Sequence, residues 1–294
     1  MILFACLLGV VFGSFLNVLI SRVPKGESIV RPASHCPVCK NQIKWYHNIP
    51  VVSYIVLRGR CADCNAPIEK TYIIVEILSG AIFVAVFLKS PNIFYAVSVS
   101  LTFSLLLALS VIDIKLKEVP DSINLAAFLT ALSSAFFFAP MPMFVNLINL
   151  LEYAKSAFLL AGFFVMLRFS LSYALKKESL GEADIIVAAT LGGILGSMYG
   201  FFAIFIGAVI SLIPAIIGRK KGNTEIAFVP YLAMGGFLVF NQILGRFRHF
   251  QHQYHHQQQR NDAADDDDFR PAHALQHVSR HQAAAGNAQH KTTA

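Results

Sequence analysis

Residues 104–121 read SLLLALSVIDIKLKEVPD. An apolar run stops on a carboxylate, Asp113; two lysines and a glutamate follow, then a Pro-Asp pair. Crossing roughly 30 Å of hydrocarbon takes about 20 apolar residues in a helix, and the run 93–113 supplies them. A carboxylate at the C-terminal end of a helix meets the negative pole of the helix dipole. Asp113 therefore needs a local reason to be where it is.

Runs of the same kind recur at about 2–20, 71–88, 122–139, 156–175, 185–199, 201–217 and 227–245. The chain is 55% hydrophobic and 14% charged, against about 25% charged in a soluble domain. A backbone in lipid satisfies its own hydrogen bonds as helix or closed barrel, and the roughly ten-residue alternation of barrel strands is absent. The expected fold is an all-α polytopic membrane protein with about eight transmembrane helices. Only GSMYG (196–200) splits the sixth run from the seventh, so a count of seven is also open.

Lysine and arginine placement sets the orientation. With the N-terminus periplasmic, the inner loops 21–70, 114–121, 176–184 and 218–226 hold nearly all the cations of the spanning region, and the outer loops hold Lys89 and Lys155. This asymmetry accounts for the net charge of +7 without nucleic acid. The first run has its positive charges after the apolar stretch, which suits an uncleaved anchor better than a secretory signal. The predicted organisation is a first transmembrane helix (1–20), a cytoplasmic cysteine loop domain (21–70), a multi-span domain (71–245) and a tail (246–294). The tail holds eight of the ten histidines and few large aliphatic residues; such a segment buries too little apolar surface to fold by itself.

The loop segment 35–64, HCPVCKNQIKWYHNIPVVSYIVLRGRCADC, carries Cys36, Cys39, Cys61 and Cys64 as two C-x2-C pairs. Four thiolates in two knuckles suit a closed tetrahedral zinc site; two disulfides are the alternative, disfavoured in a reducing cytoplasm. A closed site leaves no open position for substrate, so the metal's role would be structural. His35 and His47 are read as bystanders, and Cys6 as a small buried apolar residue.

A second carboxylate, Asp184, opens the sixth run in KKESLGEADIIVAATLGG (176–193). Two complete spans separate it from Asp113, so both belong to the cytoplasmic face, near the interface. Each could be a solvated flank or a cap. Together they supply what aspartic proteolysis needs: two close carboxyls share a proton, one activating water and the other donating to the carbonyl or leaving amine.

Four stretches then carry a resemblance: GSFLNVLISRVP (13–24), the cysteine tetrad, DIKLKEVPD (113–121) and GEADI (181–185), with NIPVVSYIVLRGRC (48–61), VEILSG (75–80) and FVPYLAMGG (228–236) beside them. The chain resembles the bacterial prepilin peptidases, or type IV leader peptidases. The resemblance implies an aspartic endopeptidase of the bacterial inner membrane with Asp113 and Asp184 as catalytic pair. It also implies type IV prepilins and type II secretion pseudopilins as substrates, cut after a glycine on the cytoplasmic side of an apolar helix. Members with the cysteine domain commonly also N-methylate the new terminus with S-adenosylmethionine. For that cofactor Gly13, Ser14, Asn17, Arg22 and Glu76 are the candidates. The family's G-x-G-D around the second aspartate has Ala183 here at the second glycine, a change expected to preserve activity. Glu182 is read as a solvated neighbour, and Arg168 as a snorkelling cation. The rival readings are a peptidase without methylase activity, an ion-coupled transporter, which would hold its carboxylates nearer the midplane, and a non-catalytic scaffold.

Overall fold

The computed structural model describes residues 1–138, 142–176, 181–220 and 227–243. These form helices α1 (Ile2–Arg22), α2 (Val52–Val56), α3 (Lys70–Phe87), α4 (Ile93–Leu116), α5 (Asp121–Phe136), α6 (Met143–Leu175), α7 (Glu182–Lys220) and α8 (Val229–Ile243). The expected tail lies outside the described residues. Helices α1, α3, α4, α6 and α7 are long and apolar enough to cross a membrane. Among the described residues that is five helices where about eight are expected, and α5, α7 and α8 account for the difference. Helix α7 takes up two of the expected runs, because Gly196 has φ 74° and ψ 178° and breaks it where GSMYG was read as a division. Helix α5, at 16 residues, and α8 are shorter. The expected span 156–175 starts earlier, at Met143, as part of a 33-residue helix; at about 1.5 Å per residue this exceeds the hydrocarbon thickness.

Lipid tails are as apolar as leucine, so helices in a bilayer associate through close packing of small residues and interhelical polar contacts. Both are present. A Cβ on Gly9 would lie 2.8 Å from the Cα of Gly80, and one on Gly13 would lie 2.7 Å from the Cα of Glu76. This is how α1 lies against α3. On the other side, Gly192 brings α7 to 2.8 Å of where a Cβ would meet Ala157 Cα of α6. Helix α4 runs through the middle, with Leu106, Ala108, Leu109 and Ile112 buried. Its hydroxyls reach its neighbours: Thr102 donates to Thr130 of α5 at 2.9 Å, and Ser104 lies 3.4 Å from Ser79 of α3.

Helix α8 packs between α4 and α7. Phe103 stacks edge-on with Phe237 at 5.2 Å and tilted with Phe240 at 5.3 Å, and the Leu191 side chain fills the space beside Gly236. At its C-terminal end Lys89 donates to the side chain and carbonyl of Asn241, at 3.0 and 3.1 Å. A cation there complements the helix dipole.

The α4–α5 turn is tight. Lys117 caps α4 in the left-handed conformation (φ 57°), its amide bonded to the Asp113 carbonyl, and Pro120 immediately precedes α5. The proline therefore sits at the start of the helix, where a residue without an N–H costs no helical hydrogen bond.

Between α1 and α3 the cysteine segment folds as two equivalent knuckles. In the first, the Cys36 amide donates to Asn41, Lys40 to Cys36 and Ile43 to Ser34. In the second, Cys61 donates to Ala66, Asn65 to Cys61 and Ile68 to Gly59. Lys40 and Asn65 occupy the same left-handed position, φ 62° and 55°. The two pieces, CPVCKNQI and CADCNAPI, are one structural unit used twice.

Candidate active site and metal centre

Asp113 sits in the last turn of α4, 7% exposed. Its Oδ2 accepts the Val229 amide at 3.0 Å, and the Phe228 amide adds a second hydrogen bond. Those amides are the unpaired donors at the N-terminus of α8. The disfavoured end of α4 is thus answered by the positive end of another helix. That is the local reason the sequence left open.

Asp184 sits in the first turn of α7, also 7% exposed. Its Oδ2 accepts the Gly181 amide at 3.1 Å. A side chain three residues into a helix reaching back to the amide before it is half of a capping box. A Cβ on Gly181 would stand 3.3 Å from Asp184 Oδ2, closer than ordinary contact. From α5, Asn124 Nδ2 donates to the Ala183 carbonyl at 3.0 Å and holds this turn. Asn124 is fully buried, and among the described residues its Oδ1 has no hydrogen-bond partner.

The two aspartates are within electrostatic reach of each other. Helices α5 and α6 separate them in the chain. Each carboxylate is fixed through helix N-terminal amides, one cap made across helices and one within its own. Glu182 is exposed and pairs with Arg168 at 3.1 Å. The cation read as snorkelling therefore has a partner on the helix that carries Asp184.

The four cysteine sulfurs lie within 4.8 Å of one another, and Cys36 and Cys64 Sγ, one from each knuckle, are 3.8 Å apart. A tetrahedron with Zn–S bonds of about 2.3 Å has edges of about 3.8 Å, so the donor set fits such an ion. The Cys36 thiol is pulled down to about 6 by amide hydrogen bonds from Cys39 and Val38. For Cys39 the Asn41 amide lowers the value, but desolvation and the neighbouring thiols outweigh it and push it up to about 12. Four crowded sulfurs cannot all ionise unless a cation lies among them. Neither His35, whose Nδ1 is 3.2 Å from the Ala33 carbonyl, nor His47 belongs to the cluster.

The five residues singled out for a methyl donor line the seam between α1 and α3. Gly13 packs on the Glu76 backbone, and Ser14 hydrogen-bonds the Glu76 carboxylate. Glu76 Oε2 also accepts the Val51 amide of the cysteine subdomain at 2.7 Å. Asn17 Nδ2 donates to the Tyr72 carbonyl at 3.0 Å, and Arg22 to Ser28 at 3.0 Å. The seam is thus a polar joint between the membrane helices and the cysteine subdomain, with its groups spent on internal bonds.

Sequence reasoning missed the Phe228 and Val229 amides, the hold of Asn124 on Ala183, and the joint between Glu76 and Val51. Backbone amides carry no residue-type signal. The one available hint was Pro230, which marks a helix start just after them.

Comparison with known proteins agrees with this geometry. The description Bacterial Peptidase A24 N-terminal domain matches residues 7–90, which include all four clustered cysteines, and Type IV leader peptidase family matches residues 100–216, which include both aspartates. The Type 4 prepilin-like proteins leader peptide-processing enzyme of Escherichia coli is 34% identical, over 78% of this chain and 89% of its own. The Prepilin leader peptidase/N-methyltransferase of Myxococcus xanthus is 35% identical over 76% of this chain and 66% of its own. That of Neisseria gonorrhoeae is 28% identical over 80% and 88%. No solved structure matches. With two buried aspartates at helix N-termini, a four-cysteine centre and these relatives, the chain belongs to the bacterial A24 peptidases, the type IV leader peptidase family.

Proposed function

We propose that the protein is a membrane-embedded aspartic endopeptidase that removes the leader from type IV prepilins and type II secretion pseudopilins, with Asp113 and Asp184 as the catalytic pair. The observation that supports this reading is that two buried carboxylates, each held by amides at a helix N-terminus, lie near enough for the charge of one to act on the other. A substrate with a basic cytosolic leader and an apolar helix presents its scissile bond at the cytoplasmic interface. Two close carboxyls hold one proton between them. The ionised member takes a proton from water, whose oxygen attacks the carbonyl carbon; the protonated member donates to the carbonyl oxygen. Collapse of the tetrahedral intermediate breaks the C–N bond, and the leaving amine takes a proton from the pair.

In this reading α1, α3, α4, α5, α6, the two parts of α7 and α8 are eight spans of the bacterial inner membrane. The N-terminus is periplasmic and the aspartates face the cytoplasm. Zinc on Cys36, Cys39, Cys61 and Cys64 is structural, cross-linking the two knuckles. We also assign N-methylation of the new terminus, with S-adenosylmethionine as donor. Gly13, Ser14, Asn17, Arg22 and Glu76, along the α1–α3 seam, are the candidates to hold that donor. The test is mass spectrometry of a prepilin incubated with the protein in lipid, with and without S-adenosylmethionine. Leader loss in both samples and one added methyl group only with the donor are expected. Leader loss without methylation would restrict the function to the peptidase.

A further inference from the structure

The segment joining the two knuckles is unusual for a loop in water. It forms a short turn at Trp45–Asn48, then Ile49, Pro50 and helix α2, tied together by Ser53 Oγ donating to the Tyr46 carbonyl at 3.1 Å. Its large side chains point outward: Trp45 is 80% exposed, Val52 53%, Ile55 64% and Val56 73%. A small cytosolic domain does not display such a patch to water without a partner.

The partner is fixed by depth. Val51 donates its amide to Glu76 at 2.7 Å, and does so from a left-handed backbone (φ 62°) that a β-branched residue rarely adopts. Glu76 lies about two helical turns along α3, roughly 10 Å, beyond the exposed Glu69–Lys115 ion pair that marks the polar boundary. The loop therefore dips alongside α3 instead of standing off it. Its apolar residues continue a surface that α3 already turns to lipid through Ile74, Ile77 and Leu78, all exposed. Cations flank the segment: Lys44, whose Nζ lies 5.9 Å from the Tyr46 ring centre, and the exposed Arg58 and Arg60. Aromatic rings at headgroup level with basic residues beside them are the signature of an interfacial element.

We propose that Trp45–Val56 is an interfacial wedge, seated in the headgroup–acyl boundary of the cytoplasmic leaflet, with Glu76 as its anchor. The four-cysteine centre is thereby held flat on the membrane on both sides of the wedge. The inference rests on the membrane reading of α3 and on nothing in the peptidase chemistry.

Trp45 is the single tryptophan of the chain, so its fluorescence reports on the wedge alone. The protein would be placed in phosphatidylethanolamine/phosphatidylglycerol nanodiscs whose scaffold lacks tryptophan, and assayed for leader cleavage in the same preparation. Lipids bearing a nitroxide near the headgroup should remove most of the Trp45 emission, nitroxides deep in the chain less, and aqueous iodide little. A Val52→Asp/Ile55→Asp variant should reverse this order, losing shallow-nitroxide quenching and gaining iodide quenching. Strong iodide quenching of the wild type in discs that still cleave prepilin would overturn the wedge while leaving the peptidase reading intact. So would a Trp45 shielded from iodide and from every nitroxide, which would mean that a second copy or another protein covers it. Shallow quenching seen only after a prepilin is added would also overturn it.

Discussion

Asp113 and Asp184 are each held by backbone amides, and the residues around them are set by how closely that backbone can come. Gly181 donates to Asp184 with a Cβ-to-oxygen gap of only 3.3 Å available. Gly181→Ala should displace the carboxylate and lower kcat more than it raises KM, since it alters the chemistry and not the binding of the apolar substrate helix. Ala183→Gly should leave cleavage near the wild-type rate, because Ala183 contributes its carbonyl rather than its methyl to the contact with Asn124. Asn124→Ala removes a buried hydrogen bond, worth about 1 kcal/mol, and frees the first turn of α7. A modest drop in thermal stability with a larger fall in kcat, read on one preparation, is the expected result. At this scale the sequence pointed to both aspartates and all four cysteines by type and spacing; the structure buries the aspartates and gathers the four sulfurs. It did not point to Asn124, because a lone asparagine inside an apolar run announces no partner.

Among the elements, α8 matters beyond its length. Its N-terminus provides the amides for Asp113 and its C-terminus is tied to Lys89. Val229→Pro deletes one donor at a position where proline is otherwise tolerated. A hydrogen bond to a charged group is worth about 1.5–3 kcal/mol, so roughly a 10- to 100-fold loss of cleavage is expected if the bond is carried into the transition state. By contrast, the Glu69–Lys115 pair is exposed. Its hydrogen bond, with Thr71 adding to it, holds the Glu69 carboxyl below its ordinary range. Stability from this source is present at neutral pH and disappears as the pH falls through the folded-state value. Lys115→Ala should cost at most about 1 kcal/mol at pH 7 and nothing in acid, measured by thermal melts in detergent. Helix identity was legible from apolar runs, and the division at GSMYG was real. Helix starts were less legible: α6 begins at Met143 because its first turns are amphipathic and merge with the apolar run behind them. The repeat of CPVCKNQI by CADCNAPI was visible in the sequence and needed only the hydrogen-bond pattern to give it meaning.

For the whole molecule, the structure separates a membrane core carrying the aspartates from a cysteine subdomain joined to it through the α1–α3 seam. If zinc only shapes that subdomain, the purified protein should contain one equivalent of zinc, and Cys36→Ser/Cys39→Ser should lose it. Leader cleavage should then persist in part while methylation is abolished; equal loss of both activities would place the metal in the peptidase core. The proposed orientation rests on the uneven division of cations between loops. The joint at Glu76 was not legible, since it pairs a carboxylate inside a span with a backbone amide from a loop that looked cytosolic. The central claim is that Asp113 and Asp184 act as one site. It is tested most directly by mass spectrometry of a prepilin in nanodiscs with wild-type, Asp113→Asn and Asp184→Asn proteins of matched thermal stability. The expected result is leader loss with wild type and a rate lower by at least about 10²–10⁴-fold in each variant. Leader loss at the wild-type rate in either variant would contradict the account.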